Sequence, residues 1–247
     1  MAIYQGLRAL VEDSRRALAE RHARISRRAG LESGLLCSMP LRGPRRIAII
    51  HEGRVKMRKV VAIENATLDG FADSQEGLGF EWTARAYDEE VDRYGNEHVR
   101  ADVDTAMYGR ATYLGMQGFW SNMLNNPDGT PSERAHAEWV HNVQKIVFST
   151  TLGSASWANS RLISGNVAEE VEKLKVQPGG TMAIYASPKL VHAFIDLRLI
   201  DEFRVVVHPV TLGRGTPLFH DTAKLDLQLL ESKAFNSGAV YVRYQVV

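Results

Sequence analysis

A single cysteine, Cys37, is the whole thiol content of this 247-residue chain, so an internal disulfide and a four-cysteine zinc site are both excluded. No apolar run approaches the ~20 residues that a membrane-crossing helix needs. Several short motifs are missing as well. Gly77-Leu78-Gly79 lacks the third glycine of a dinucleotide fingerprint, and Gly213-Arg214-Gly215 leads to Pro217 rather than into a helix. There is no Walker phosphate loop, no H-E-x-x-H and no G-x-S-x-G elbow. His98, His136, His141, His192, His208 and His220 fall at no metal-ligand spacing, so no metal is expected. What is present is ordinary for a folded domain: 45% hydrophobic and 24% charged residues, which excludes pervasive disorder and fibrous repeats. The length suits one large domain, or one domain with an appendage.

The net charge of +1 conceals a division. Residues 1–56 hold eleven Arg and one Lys against five acids, whereas residues 57–247 hold eighteen basic residues against twenty-four acids. The acidic part lacks the basic face that nucleic acid requires, and neither nucleic acid nor membrane is expected as its partner. In the basic part, Ile3, Leu7, Leu10, Val11, Leu18 and Ile25 follow helical spacing up to Gly30. It has neither the apolar core of a secretory signal nor the acid-poor character of a mitochondrial presequence, so a cytoplasmic protein is expected. Two roles suit this extension: a solvated, loosely attached helix, or a basic adaptor for RNA or anionic membrane. Met57-Arg58-Lys59-Val60-Val61 also reads as a natural start, which would make residues 1–56 an upstream start or a late addition.

From Met57 onward, strand-like and helical segments alternate. Short apolar runs at residues 60–63, 105–108, 145–148, 161–163, 181–185 and 203–210 read as strands. Segments 87–99, 110–116, 133–141, 167–174 and 190–199 read as helices, the first of them on the surface. Gly70, Gly77 and Gly79 mark a mobile loop. Alternation of this kind implies a mostly parallel sheet with helices on both faces. Two late strand candidates, 224–230 and 239–247, follow no helix and predict an antiparallel edge.

Ligands of such sheets gather at the carboxyl ends of the strands. Three junctions there carry suitable groups. Gly109-Arg110-Ala111-Thr112-Tyr113 puts a guanidinium and a hydroxyl at a helix start, where unpaired N–H groups favour a phosphate. Ser149-Thr150-Thr151 directly follows a strand, and Ala186-Ser187-Pro188-Lys189 opens a helix with proline in its first turn. Ser and Thr at such places are also ordinary helix caps.

Thr67-Leu68-Asp69-Gly70, Gly109-Arg110-x-Thr112-Tyr113 and Phe148-Ser149-x-Thr151-Leu152 occur in an order that resembles the dihydrofolate-reductase-like superfamily. So do Leu199-Ile200-Asp201-Glu202 and the stretch from Pro209 to Phe219. The branch it most resembles is the C-terminal reductase domain of bacterial riboflavin biosynthesis, over residues 57–247 with residues 1–56 outside. The resemblance implies a three-layer α/β/α fold, an NADPH cofactor, a pterin- or pyrimidine-type substrate, and a homodimer. It also implies that Gly109, Arg110 and Thr112 hold the NADPH phosphates, with Arg110 at the 2′-phosphate, and that Ser149, Thr150 and Thr151 flank the adenine ribose. Ala186 and Ser187 stand where relatives place glycines against the pyrophosphate, a departure that adds a methyl group at a close approach. Asp69 orients a substrate amide or helps deliver a proton beside the nicotinamide, or else simply bonds its own turn. Phe80 and Trp82 either wall a pocket for the heterocycle or pin the loop to the core. A binding protein that keeps the fold without turnover is the alternative reading.

Overall fold

The apolar run at residues 60–63 becomes β1 (Val60–Thr67), flanked by a parallel strand on each edge and buried on both faces by the helical layers on either side of the sheet. The computed structural model describes residues 57–74, 80–220 and 224–247; the N-terminal extension, and Gly77 and Gly79 of the expected loop, lie outside the described residues. After β1 come β2 (Phe71–Asp73), α1 (Glu89–Tyr94), β3 (Val103–Gly109), α2 (Arg110–Met123), α3 (Pro131–Asn142), β4 (Gln144–Phe148) and β5 (Ser160–Ile163). The chain continues through α4 (Val167–Lys175), β6 (Thr181–Tyr185), α5 (Pro188–Asp196), β7 (Glu202–His208), β8 (Thr216–Pro217), β9 (Leu227–Ala234) and β10 (Val240–Val246).

Among the described residues eight strands form one sheet in the order β5-β4-β3-β6-β1-β7-β10-β9. Pairs from β5 to β7 are parallel, and β7-β10-β9 make the expected antiparallel edge. Side chains alternate across the sheet, giving two cores. Val60, Ala62, Met107, Met182 and Ile184 pack under α4 and α5 with Val171, Leu190 and Phe194. Val61, Ile63, Ala106, Tyr108 and Tyr185 pack on the other face against Val91, Tyr113 and Val140, from α1, α2 and α3. The result is the expected three-layer α/β/α arrangement, a mixed and mostly parallel sheet covered on both sides.

Several boundaries differ from the sequence reading. Segment 87–99 is not a surface helix: α1 gives way to a π-turn at Gly95–Val99, and Val91, Asp92, Val99 and Arg100 are buried. Asp92 and Arg100 point inward and are paired there, while Glu89, Arg93, Glu97 and His98 stay exposed. Tyr87 donates to Asp92 Oδ1 at 3.0 Å, and Arg100 donates to the Tyr185 hydroxyl at 3.1 Å. The 203–210 strand stops at His208, since Pro209 has no N–H and Val210 N turns back to the His208 carbonyl. The 224–230 strand shifts to Leu227–Ala234, its end set by a turn before β10 with Gly238 at φ 88°. Part of the glycine loop is structured: β2 pairs antiparallel with β8.

Candidate functional site

Because β3 lies between β4 and β6, the ends of those three strands meet on one rim. Gly109, Arg110, Thr112, Ser149, Thr151, Ala186 and Ser187 are brought together there. The Ser187 hydroxyl accepts from Gly109 N at 3.1 Å and pairs with Thr112 Oγ1 at 3.1 Å. Thr112 Oγ1 also lies 3.2 Å from the Ala186 carbonyl. Arg110 donates to Thr151 Oγ1 at 3.1 Å, joining the β3 and β4 ends. Ser149 Oγ accepts from the N–H groups of Thr151 and Leu152, which fixes that turn, and Thr150 is exposed beside it.

The first turn of α2 supplies the N–H groups of Arg110, Ala111 and Thr112, donors that a helix leaves without partners of its own. With the positive end of the helix and the Arg110 guanidinium, this rim is equipped for a phosphate. The α5 side is less so. Pro188 has no N–H, and Leu190 N and Val191 N both turn to the Ser187 carbonyl. A Cβ at Gly109 would come 3.3 Å from Ser187 Oγ, so the two junctions are in close contact. Ala186 keeps the left-handed backbone that a glycine adopts freely, with φ 48°.

Asp69 and Trp82 lie by the carboxyl end of β1, and Phe80 lies against α2. Both Asp69 oxygens accept backbone N–H groups, from Leu212 at 3.2 Å and Gly213 at 2.8 Å, and Thr67 Oγ1 donates to Oδ1 at 2.6 Å. The Thr67 hydroxyl, then these amides, hold the Asp69 carboxyl below the usual carboxylate range. The aromatic pair reaches two different elements. Phe80 meets Phe119 of α2 edge-on at 5.9 Å, and Trp82 meets the ring of His208, at the end of β7, at 5.4 Å.

Residues 58–241 match the family described as the RibD C-terminal domain. The chain belongs to that family. It is 32% identical over 191 residues to the uncharacterized protein YyaP of Bacillus subtilis, covering 77% of this chain and 96% of that one. Among solved structures, a putative riboflavin biosynthesis protein from Shewanella is similar at a TM-score of 0.60 and 18% identity, over 76% of this chain and 99% of that one. A diaminohydroxyphosphoribosylaminopyrimidine deaminase/5-amino-6-(5-phosphoribosylamino)uracil reductase from Thermotoga maritima is similar at 0.53 and 13%, over 78% of this chain and 57% of that one.

This RibD C-terminal domain also carries polar residues beneath the rim that the sequence reading did not single out. Glu64 of β1 is buried, and its Oε1 accepts from Ser187 N at 2.7 Å. Burial pushes its carboxyl well above the usual range, and the nearby Asp73 charge adds to this. On the opposite face His136 Nε2 lies 2.8 Å from the Tyr185 hydroxyl, one residue before Ala186. His208 Nε2 bonds Asn65 Oδ1 at 2.9 Å. The available signal for Glu64 was an acid continuing an apolar strand run, a place where an unpaired charge is costly. The partners of these residues are remote in sequence, and no local pattern names them.

Proposed function

We propose that this RibD C-terminal domain is an NADPH-dependent reductase acting on a small planar heterocycle of pterin or riboflavin-pathway pyrimidine type. The observation that carries the reading is the joined rim, in which Arg110, Thr151 and the opening turn of α2 offer a guanidinium, a hydroxyl and unpaired N–H donors together. Family membership supports it, as does the reductase named for the Thermotoga neighbour. The donor set fits phosphate groups: Gly109, Arg110 and Thr112 hold them, Arg110 selects the 2′-phosphate, and Ser149, Thr150 and Thr151 flank the ribose. When bound, the coenzyme supplies the hydride. The protein's part is to fix the reacting partners together and exclude water. Phe80 and Trp82 are the proposed aromatic contacts to the substrate. Asp69, whose carboxylate form is favoured by the Thr67 hydroxyl and then by its amide partners, enters as an orienting carboxylate rather than a proton donor. The same reading makes the protein a cytoplasmic homodimer, with residues 1–56 as an appendage to the reductase domain at 57–247.

A second reading, a ligand-binding protein without turnover, is favoured by one observation. The Ser187 hydroxyl and N–H are already committed to Gly109, Thr112 and Glu64. Fluorescence titration and an oxidation assay separate the two. NADPH is expected to saturate the protein, and dihydrofolate or a riboflavin-pathway pyrimidine to be reduced at its expense. Arg110→Ala should weaken NADPH about tenfold, the ~1.5 kcal/mol of a charge-assisted hydrogen bond, and NADH much less. Equal losses for both nucleotides remove Arg110 from the 2′-phosphate. Saturable binding with no reduction of any substrate in the panel favours the second reading.

A further inference from the structure

Glu64 sits where an apolar residue would serve the fold better. Its strand neighbours on the same face, Ala62 and Ala66, belong to the core under α4 and α5. A carboxyl group there incurs a desolvation cost and returns one hydrogen bond, to Ser187 N at 2.7 Å. That bond falls at a sensitive place. Ala186 is in the left-handed region and persists there only because its surroundings over-determine it. Ala186 N donates to the Ile63 carbonyl at 3.0 Å, its own carbonyl meets Thr112 Oγ1, and the next N–H is the one Glu64 holds. From Ser187 the connection runs through its hydroxyl to Gly109 N and Thr112, at the opening of α2.

We propose that Glu64 is a positioning residue of the coenzyme rim: by fixing Ser187 N it holds the Ala186 turn and, through the Ser187 hydroxyl, the Gly109–Thr112 opening in a shape ready for a phosphate. The inference rests on the NADPH reading above and deepens it. Burial favours the neutral form of its carboxyl. Glu64 meets the Ser187 N–H at the start of α5 and feels the Asp73 carboxylate on β2, while the Tyr185 phenol on β6 acts on it only electrostatically, from the opposite face of the sheet. Of these only the N–H favours the ionised form. An anionic coenzyme close by disfavours that form further, so coenzyme binding and Glu64 protonation support each other. NADPH affinity therefore falls as pH rises through the folded-state pKa of Glu64.

The test compares the full chain with Glu64→Gln and Glu64→Leu, using NADPH as the probe from pH 6 to 9, with amide hydrogen exchange of residues 185–191 measured without ligand. Gln keeps an acceptor and never ionises. Its affinity should fall less than that of the wild type as pH rises across this range, the two converging towards the acid end. Leu should lose about tenfold at every pH, and residues 185–191 should exchange faster than in the wild type while the far β9–β10 hairpin does not. Parallel pH profiles for wild type and Gln, or unchanged exchange in Leu, overturn the role of Glu64 and leave the coenzyme reading standing. No NADPH binding by the wild type at any pH overturns both, and the exchange result then shows whether Glu64 still braces the turn.

Discussion

At Ala186 the chain retains a backbone conformation suited to glycine but places a methyl group in it. A left-handed L-residue costs ~1–2 kcal/mol, part of it recoverable by removing the Cβ. Ala186→Gly is expected to stabilise the protein by about 1 kcal/mol, visible as a rise of ~2–4 °C in melting temperature. It should also tighten NADPH by giving its phosphates a closer approach. A lowered melting temperature would mean that the methyl group packs more favourably than the turn is strained. This departure was visible in the sequence, because Tyr185-Ala186-Ser187-Pro188 interrupts an otherwise matching order of motifs. Glu64 was not visible in the same way. Its partner lies 123 residues further along, and only the pairing of β1 with β6 brings the two together.

Element by element, β7 shows how a charged strand is kept in the middle of a sheet. Glu202 is fully buried and accepts from Arg204 Nε at 2.8 Å and from Arg243 Nε, across on β10, at 2.6 Å. Arg204 continues to the Val99 carbonyl and to Asp102, tying the strand to the loop before β3. Removing the charge at the centre of such a network leaves two guanidinium groups short of a partner. Glu202→Gln should therefore cost about 3 kcal/mol, read as a lower urea midpoint with unchanged slope. A loss below ~1 kcal/mol would show that the arginines find water or Asp102 instead. Glu202 opens β7, with Asp201 just before it. Short apolar runs announced β1, β3, β4 and β6, because strands buried on both faces have little freedom in composition. β9 was misplaced by several residues, since an exposed edge strand carries no such constraint and its hairpin turn sets its limits.

For the molecule as a whole, buried titratable groups shape the response to pH. Burial holds His136 and His208 down to about 4, whereas in the unfolded chain a histidine titrates near 6.5. The unfolded state therefore binds more protons between these values, and the stability these histidines contribute is lost as pH falls through that window. Glu64 opposes them. Its folded pKa is raised, so the folded state holds the extra proton and the contribution of Glu64 declines as pH rises above ~4.5. Near pH 5.5 stability should climb with pH, and Glu64→Gln should steepen the climb by about one proton, ~1.4 kcal/mol per pH unit. Urea denaturation at three pH values measures both slopes, and identical slopes would mean that Glu64 ionises in the folded protein as it does in water. The sheet order has one more consequence. Among the described residues β1 is the first strand to be made, yet its two neighbours, β6 and β7, are among the later ones to be translated. On the ribosome Val60, Val61, Ala62 and Ile63 must wait for most of the domain to emerge. During that interval this apolar, β-branched stretch has no strand partner, and it is then most exposed to association with other chains.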